Sequence, residues 1–355
     1  MAITRSPEYV FESALAGYHN AASLHPNDRD QTSNYLLAGQ SIRFSFANSK
    51  LGPYMTRELA HLVAADNLKP DFTLFCWESG EHSPTFPLPW TTKDFSHLQQ
   101  SRQAGPSVMY GDSRYRMAST QRDNFVIYDK QQNIAVYWIE TQRDDFDQRQ
   151  SSAIREVLHW HMARYGRHLV HAAAVGGERG MVLLTGKSGS GKSTSSLACL
   201  NSNLGFCGDD NCYVSLDPNP MVHSFYGSAK VTNDSMPMIP EKLREAIEIA
   251  PNMYDKGIIF VAEVLPEKIV LEGPIRSIVS CTVTDQKYSS IRKASATETL
   301  LALAPTSLFA FRGGGQKPLD AMAELTRRCS TWKLELGEDT EQLYRLISGL
   351  LNAKV

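Results

Sequence analysis

Apolar residues recur along the chain with two different spacings, and these spacings predict where strands and helices lie. The alternating apolar residues Ile42, Phe44 and Phe46 are typical of a half-buried β-strand. The range 124–140 contains two β-branched and aromatic runs around a polar turn, which predicts a β-hairpin. Residues 1–145 are therefore expected to form a β-rich α+β module that binds a substrate or a partner.

From residue 146 onward, predicted helices and strands alternate. Within 149–165 the apolar residues recur every three or four positions, which predicts an amphipathic helix. Two short apolar runs, 169–175 and 181–185, then predict strands around a glycine-rich turn. The alternation continues to the end of the chain and is typical of an α/β domain, so we predict a second domain over 146–355.

The second of these apolar runs leads directly into the pattern G-x-x-x-x-G-K-[ST], the P-loop of nucleotide-binding proteins. A flexible Gly/Ser-rich turn that matches by chance is the alternative. The context argues against chance, because an apolar strand ends at the first glycine and an amphipathic helix begins at the lysine. The predicted nucleotide-binding residues are Gly186, Lys187, Ser188, Gly189, Ser190, Gly191, Lys192, Ser193 and Thr194.

The chemistry of polyphosphate explains these residue types. Backbone N–H groups must point inward around the phosphates, and glycine permits the backbone curvature that this requires. Lys192 is expected to reach the β- and γ-phosphates, and the Ser193 hydroxyl to bind Mg²⁺. The following helix adds its dipole and its free N–H groups. The motif by itself predicts nucleotide binding.

Two carboxylates, Asp209 and Asp210, follow at the end of a short predicted strand, seventeen and eighteen residues after Lys192. Beside a P-loop strand, such carboxylates can hold Mg²⁺ and accept a proton from an attacking hydroxyl. The alternative is an ordinary Asp-rich turn. His171 lies fifteen residues before Gly186, and a lone histidine in an apolar strand is usually structural. Neither feature decides the chemistry alone.

Together, His171, the P-loop and the aspartate pair resemble the catalytic core of HPr kinase/phosphorylase and of the wider HPr-kinase-related group. That family has a histidine on the preceding strand, the loop G-x-S-G-x-G-K-S and an aspartate pair after the P-loop helix. About forty residues match closely. The resemblance implies a P-loop kinase domain of the HPr kinase/phosphoenolpyruvate-carboxykinase-like type. It also implies ATP- and Mg²⁺-dependent phosphorylation of a serine-type hydroxyl.

The resemblance further implies a role for each residue. Asp209 is expected to be the base that takes the hydroxyl proton, with His171 as its partner. Asp210 and Ser193 are expected to hold Mg²⁺, and Lys192 to neutralise the phosphates. The resemblance leaves open which of the two aspartates is the base and which is the metal ligand.

The sequence departs from the carbohydrate-regulating members of this family. Thr194 stands where they usually have an acidic residue, their later phosphorolysis loop is not recognisable, and residues 1–145 do not resemble their N-terminal domain. The chain looks closer to peptide-modifying relatives, so the expected acceptor is a hydroxyl of a peptide, a protein or a small molecule. The alternative is a nucleotide-binding regulator or assembly ATPase without an acceptor, for which one metal-binding carboxylate suffices.

Composition narrows the classes of partner. The 355 residues carry a formal net charge of −2, which gives no electrostatic basis for nucleic-acid binding. No apolar run approaches the roughly 18 residues of a membrane span. The six cysteines are scattered, as is typical of reduced proteins. We therefore expect a cytoplasmic protein with neither a nucleic-acid nor a membrane partner, and homo-oligomerisation stays open.

Weaker signals favour structural roles. His159 and His161 are predicted to lie on a helix surface. Lys187 and Lys230 are predicted to be solvated, with contact to phosphate or base as the alternative for each. The stretch 312–316 is predicted to be a loop that opens a helix, rather than a transporter-ATPase signature, because no apolar strand ending in Asp-Glu follows it. The hairpin core is expected to include Trp77, Tyr137 and Trp138.

Overall fold

A computed structural model describes ten ranges of the chain: 3–24, 31–47, 51–79, 86–90, 108–119, 123–140, 148–249, 256–310, 316–338 and 342–351. The architecture is mixed α/β. Two compact units divide the chain. The first comprises Met1–Arg57 and Leu62–Tyr165, and the second comprises Glu58–His61 and Gly166–Val355.

The first unit contains a mostly antiparallel sheet with helices. Its described elements are α1 (Pro7–Leu24), β1 (Gln31–Leu37), β2 (Gln40–Phe46), α2 (Leu51–Thr56), β3 (Phe72–Ser79), β4 (Val108–Gly111), β5 (Tyr115–Ser119), β6 (Asn124–Asp129), β7 (Ile134–Glu140) and α3 (Gln148–Ala163). The strand order is β1-β2-β3-β7-β6-β5-β4, and β3 pairs in parallel with both β2 and β7. The predicted hairpin is confirmed, because β6 and β7 pair antiparallel with Asn124 opposite Ile139.

Aromatic side chains fill the core of this unit. Trp77, Tyr137 and Trp138 are 2%, 0% and 1% exposed, which confirms their predicted position. Trp138 donates its indole N–H to Ser79 Oγ at 2.8 Å, so the ring is buried with its one polar atom bonded. Helix α1 packs its apolar side against the same cluster. Its Gly17 lies against the Trp77 ring, so close that a methyl group there would be 2.3 Å from Cζ2.

The second unit is built on a larger sheet. Its described strands are β8 (His168–Val170), β9 (Ala172–Gly177), β10 (Gly180–Thr185), β11 (Gly205–Gly208), β12 (Cys212–Ser215), β13 (Met221–Ser224), β14 (Ala229–Thr232), β15 (Glu248–Ile249), β16 (Lys256–Ile259), β17 (Glu272–Val283), β18 (Ser290–Lys293) and β19 (Ser330–Leu336). The main strand order is β11-β9-β10-β17-β13-β12-β8, with β19 beside β17 and β18 beside β19. Strands β14, β16 and β15 form a separate small sheet.

Helices cover both faces of this sheet. The described helices of this unit are α4 (Lys192–Ala198), α5 (Glu241–Arg244), α6 (Val261–Val264), α7 (Ala296–Ala310), α8 (Gln316–Arg328) and α9 (Leu343–Leu350), with 3-10 turns at Cys199–Asn201, Asn233–Met238 and Pro266–Lys268. Residues 58–61 of the 3-10 helix Arg57–Leu62 also belong to it. Leu183 of β10 packs in one cluster with Leu303 of α7, whereas Leu184 packs in another with Ile347 of α9. Every residue of β10 is buried, as expected for a strand covered on both faces.

Two stretches differ from the sequence expectation. The helical spacing of 241–250 predicts one helix, but the described part, 241–249, forms the short α5 and then β15. The apolar run 257–264 predicts a strand, but it forms the end of β16 and then α6. These short elements pack around a local cluster that includes Leu243 and Ile259, so tertiary packing outweighed the local pattern. Residues 312–315 of the predicted glycine-rich loop lie outside the described ranges.

Helix α3 groups with the first unit, although the expected domain boundary at residue 145 placed it in the second. The prediction that His159 and His161 lie on the helix surface is wrong, because they are 1% and 0% exposed. His161 contacts the Tyr128 hydroxyl through Nδ1 at 3.0 Å. Burial lowers the pKa of His161 to about 4, so its ring is neutral at pH 7. Both histidines therefore belong to the packing of α3.

Two helical glycines give opposite predictions for substitution by alanine. Gly17→Ala is expected to destabilise the protein by about 1–3 kcal/mol, because the clash with Trp77 exceeds the gain in helix propensity. Gly349→Ala in α9 meets nothing within 4 Å and is expected to stabilise by about 0.5 kcal/mol. Urea denaturation of both variants measures the difference. Equal effects of the two substitutions would contradict the packing described for Gly17.

Candidate functional site

The loop between β10 and α4, residues 186–191 and hereafter the glycine loop, needs glycine at three positions. Gly186, Gly189 and Gly191 have positive φ values of 145°, 76° and 90°. A Cβ on Gly186 would lie 2.6 Å from Ser190 Oγ, and one on Gly191 would lie 2.5 Å from Leu336. Gly191 is also the N-cap residue of α4. Backbone conformation and close packing thus both require glycine at the two ends of this loop.

Lys192 begins α4 and turns back over the glycine loop. Its Nζ donates hydrogen bonds to the carbonyl oxygens of Gly186 at 2.8 Å and Lys187 at 3.1 Å. The residue is 5% exposed. Within the described part of the chain, the buried Ser190 Oγ has no hydrogen-bond partner. The loop therefore carries a buried positive charge and a buried hydroxyl, both chemically suited to an anionic ligand.

Asp209 lies directly after β11 and faces the first turn of α4. Ser193 Oγ donates to Asp209 Oδ1 at 2.9 Å, and the backbone N–H of Lys230 donates to Asp209 Oδ2 at 3.2 Å. Strand β9 pairs antiparallel with both β10 and β11, so β10 and β11 run in the same direction and end at the same edge. This sheet order brings Asp209 to the glycine loop.

Asp210 faces a lysine and a histidine instead. Its Oδ2 lies 3.0 Å from Lys230 Nζ, and its Oδ1 lies 3.7 Å from His171 Nε2. Asp210 has a left-handed backbone with φ 64°, which aspartate tolerates better than most residues. The sharp turn points the two consecutive carboxylates toward different partners. His171 lies between β8 and β9, and its backbone N–H donates to Ser307 Oγ at 2.9 Å.

The surroundings separate the proton affinities of the two carboxyl groups. Burial, followed by the neighbouring charge of Asp210, raises the pKa of Asp209 to about 6, although hydrogen bonds from Ser193 and the Lys230 amide act against the rise. Burial also acts to raise the pKa of Asp210. The charges of Lys230 and His171 outweigh it and hold that pKa well below its usual range. Asp210 is therefore ionised at neutral pH, and Asp209 exchanges its proton near neutral pH.

The structure brings the expected site residues together but pairs them differently. The expectation joined Asp209 to His171 and Asp210 to Ser193. In the structure, Ser193 bonds to Asp209 and His171 lies beside Asp210. The reason is the left-handed turn at Asp210, which sends the second carboxylate away from α4.

Sequence reasoning also gave too little weight to Lys230. Its side chain is 39% exposed and its Nζ also lies 3.0 Å from Asp210 Oδ2, so the lysine is both solvated and paired. Its backbone amide bonds to Asp209. The available signal was a lysine between the apolar residues Ala229 and Val231 of a short strand. Nothing in the sequence connects that strand to carboxylates some twenty positions earlier.

A magnesium ion fits the arrangement of Ser193 and Asp209. Magnesium prefers oxygen ligands in octahedral geometry, in which neighbouring ligands are about 3 Å apart. The hydroxyl and carboxylate oxygens of these two residues lie 2.9 Å apart. Among the described residues, no group of three or more His, Cys, Asp and Glu side chains forms a metal set. The donor set thus suits a hard cation that takes its remaining ligands from water or phosphate.

Comparison with known proteins gives only weak structural similarity at low sequence identity. No protein-family model and no curated protein matches the sequence. The HPr(Ser) kinase/phosphatase from Coxiella burnetii is similar at a TM-score of 0.26 and 14% identity, over 52% of this chain and 93% of that chain. A likeness at this level carries no functional weight, so the assignment of function depends on the site itself. In the described ranges, no helix is long and apolar enough to cross a membrane.

The raised pKa of Asp209 predicts a pH-dependent cost to stability. Its folded pKa of about 6 exceeds the unfolded value of about 3.9. The protonated form therefore favours the folded state, and this contribution is lost as the pH rises through about 6. In metal-free buffer, Asp209→Asn should gain on the order of 1 kcal/mol relative to the wild type between about pH 5 and pH 7.5.

Urea denaturation at the two pH values measures this gain. The matched control is Asp285→Asn, because Asp285 is exposed on the loop after β17. A difference between Asp209→Asn and the wild type that is the same at both pH values would contradict the described environment.

Proposed function

We propose that this protein is an ATP- and Mg²⁺-dependent kinase that transfers the γ-phosphoryl group to a serine-type hydroxyl of a peptide, a protein or a small molecule. The observation that carries the proposal is that two consecutive carboxylates contact different partners. Asp209 is bonded to the first turn of the helix after the glycine loop, whereas Asp210 faces His171 and Lys230. Phosphoryl transfer to a hydroxyl needs both a metal-side carboxylate and a base.

The glycine loop supports the binding of the phosphates. A Cβ on Gly189 would meet nothing within 4 Å, so a ligand can approach the backbone there. The helix N-terminus favours an anion at the end of the loop. Lys192 Nζ now bonds two loop carbonyls, and a polyphosphate offers it stronger, charged acceptors. In the proposed complex, Lys192 therefore leaves these carbonyls and neutralises the β- and γ-phosphates.

Ser193 and Asp209 are the proposed magnesium ligands, which exchanges the roles first expected for the two aspartates. A Mg²⁺ ion held by these two residues would supply positive charge to the phosphates during transfer. A divalent cation bound beside Asp209 would favour its ionised carboxylate and so lower its raised pKa. Asp209 is 2% exposed, so it lies too deep for contact with a bulky acceptor and well placed to hold an ion.

Asp210 is the proposed base. Its side chain is 26% exposed, so an acceptor hydroxyl can approach it. The hydroxyl oxygen forms a bond to the γ-phosphorus while the bond from that phosphorus to the β,γ-bridging oxygen breaks. The hydroxyl proton passes to Asp210, and ADP leaves with the bridging oxygen. His171 and Lys230 hold Asp210 in place, and Lys230 adds positive charge beside the transferred group.

The competing hypothesis is a nucleotide-binding regulator or assembly ATPase, in which water is the final acceptor. Such a protein needs the glycine loop, Ser193 and Asp209. It has no use for a second carboxylate that a histidine and a lysine hold in place. The arrangement at Asp210 favours the kinase. A cytoplasmic location is part of the proposal.

Three substitutions separate the proposed roles. Asp210→Asn should lower transfer by about 10²- to 10⁴-fold, as expected for the loss of a base, while ATP affinity changes little. Asp209→Asn should weaken Mg²⁺-dependent ATP binding, and Lys192→Ala should weaken ATP binding with or without metal. The assay uses γ-labelled ATP with a degenerate serine-centred peptide mixture, and isothermal titration gives the affinities.

The outcome for the kinase proposal is read from where the label appears. Label in phosphoserine that disappears in Asp210→Asn supports the kinase. Release of inorganic phosphate alone, at the same rate in the wild type and in Asp210→Asn, contradicts it and favours the regulator.

A further inference from the structure

Four residues from the N-terminal half of the sequence, Glu58–His61, belong to the second unit. They lie in the 3-10 helix Arg57–Leu62 and contact the segment 224–228 between β13 and β14. The Glu58 carbonyl accepts the backbone N–H of Gly227 at 2.8 Å. The Glu58 carboxylate accepts the Ser228 hydroxyl at 2.5 Å. One residue thus holds two consecutive positions of this segment.

His61 fixes the same segment from a second point. Its Nε2 lies 2.8 Å from Ser224 Oγ. A Cβ on Gly227 would lie 2.7 Å from His61 Nδ1 and 2.8 Å from the Ala262 Cβ, so both groups press against this glycine. The Gly227 carbonyl also accepts the Ala262 N–H at 3.0 Å. Gly227 is therefore enclosed, and the 224–228 segment has little freedom to shift.

The enclosed segment leads directly into the candidate site. Lys230 follows Ser228 by two residues, and its amide and amine bond to Asp209 and Asp210. Ala229 and Val231, on either side of it, are 2% and 1% exposed. Because the neighbouring side chains are closely packed, a displacement of Ser228 also displaces Lys230.

We propose that Glu58 is a positioning residue for Lys230, acting through its hydrogen bond to Ser228. The catalytic role of Lys230 in this inference rests on the proposed function. The contacts between Glu58 and Ser228 do not. Glu58 lies about 170 positions from the residue it positions. The site then depends on a segment outside the continuous range 166–355, and a fragment that begins after Tyr165 lacks it.

Hydrogen exchange tests the positioning without any reaction. Glu58→Ala removes the acceptor of Ser228, so amide exchange in the peptide covering 227–232 should be about tenfold faster, while the peptide covering 275–283 stays unchanged. Ser228→Ala removes the same bond from the other side and should reproduce the effect. Glu267→Ala is the matched control, since Glu267 is exposed in the same unit. Unchanged exchange at 227–232 in both Glu58→Ala and Ser228→Ala overturns the proposal.

A double-mutant cycle tests whether Glu58 acts through Lys230 in catalysis. Glu58→Ala should lower kcat by about tenfold with little change in the KM for ATP, and Glu58→Gln, which keeps an acceptor oxygen, should retain most activity. In a Lys230→Met background, Glu58→Ala should change kcat by less than about twofold. Multiplicative effects of the two substitutions would show that Glu58 acts independently of Lys230, against the proposal.

The transfer assay and the hydrogen-exchange experiment can contradict their two proposals independently. If the wild type transfers no phosphate, the proposed function is wrong, yet the exchange result still decides whether Glu58 holds the segment that carries Lys230.

Discussion

The hydrogen bond between Ser193 and Asp209 joins the first turn of α4 to the end of β11, and the candidate site depends on this junction. Two strands that run in the same direction, separated by β9, bring the hydroxyl and the carboxylate to one edge of the sheet. The bond closes at 2.9 Å. Neither residue alone defines a site. Their contact places a hydroxyl and a carboxylate, both possible cation ligands, beside the glycine loop.

Burying carboxylates at this junction lowers the stability of the folded protein, and neighbouring groups of Asp209 and Asp210 limit that loss. Asp209 is almost completely buried, and its pKa rises accordingly. The neighbouring Asp210 remains ionised only because Lys230 and His171 face it. A pair of carboxylates with divided proton affinities is a frequent property of catalytic sites. The protein accepts a local loss of stability where a bound cation and phosphates would compensate it.

Much of the fold could be predicted from the sequence where the pattern was long or regular. The hairpin of β6 and β7 follows from two aromatic and β-branched runs around a turn, and its buried tryptophans follow from the same pattern. Short elements were less predictable. The local patterns predicted a helix for 241–250 and a strand for 257–264, whereas the described residues form α5, β15, β16 and α6. Leu243 and Ile259 of these elements pack in one cluster, which the local pattern does not reveal. His159 and His161 were wrongly predicted to be exposed, because helical spacing does not reveal which sides of α3 are covered by other elements.

The sequence by itself determined the phosphate-binding motif, because its three glycines, Lys192 and Ser193 all lie within the nine consecutive residues 186–194. It also determined that a histidine and two aspartates are available. Only the tertiary structure decided which groups meet: Ser193 with Asp209, His171 and Lys230 with Asp210, and Glu58 with Ser228. These pairs depend on strand order, on one left-handed turn and on a contact between distant parts of the chain. Such contacts leave no periodic signal in the sequence, since each joins residues whose separation is set by the fold.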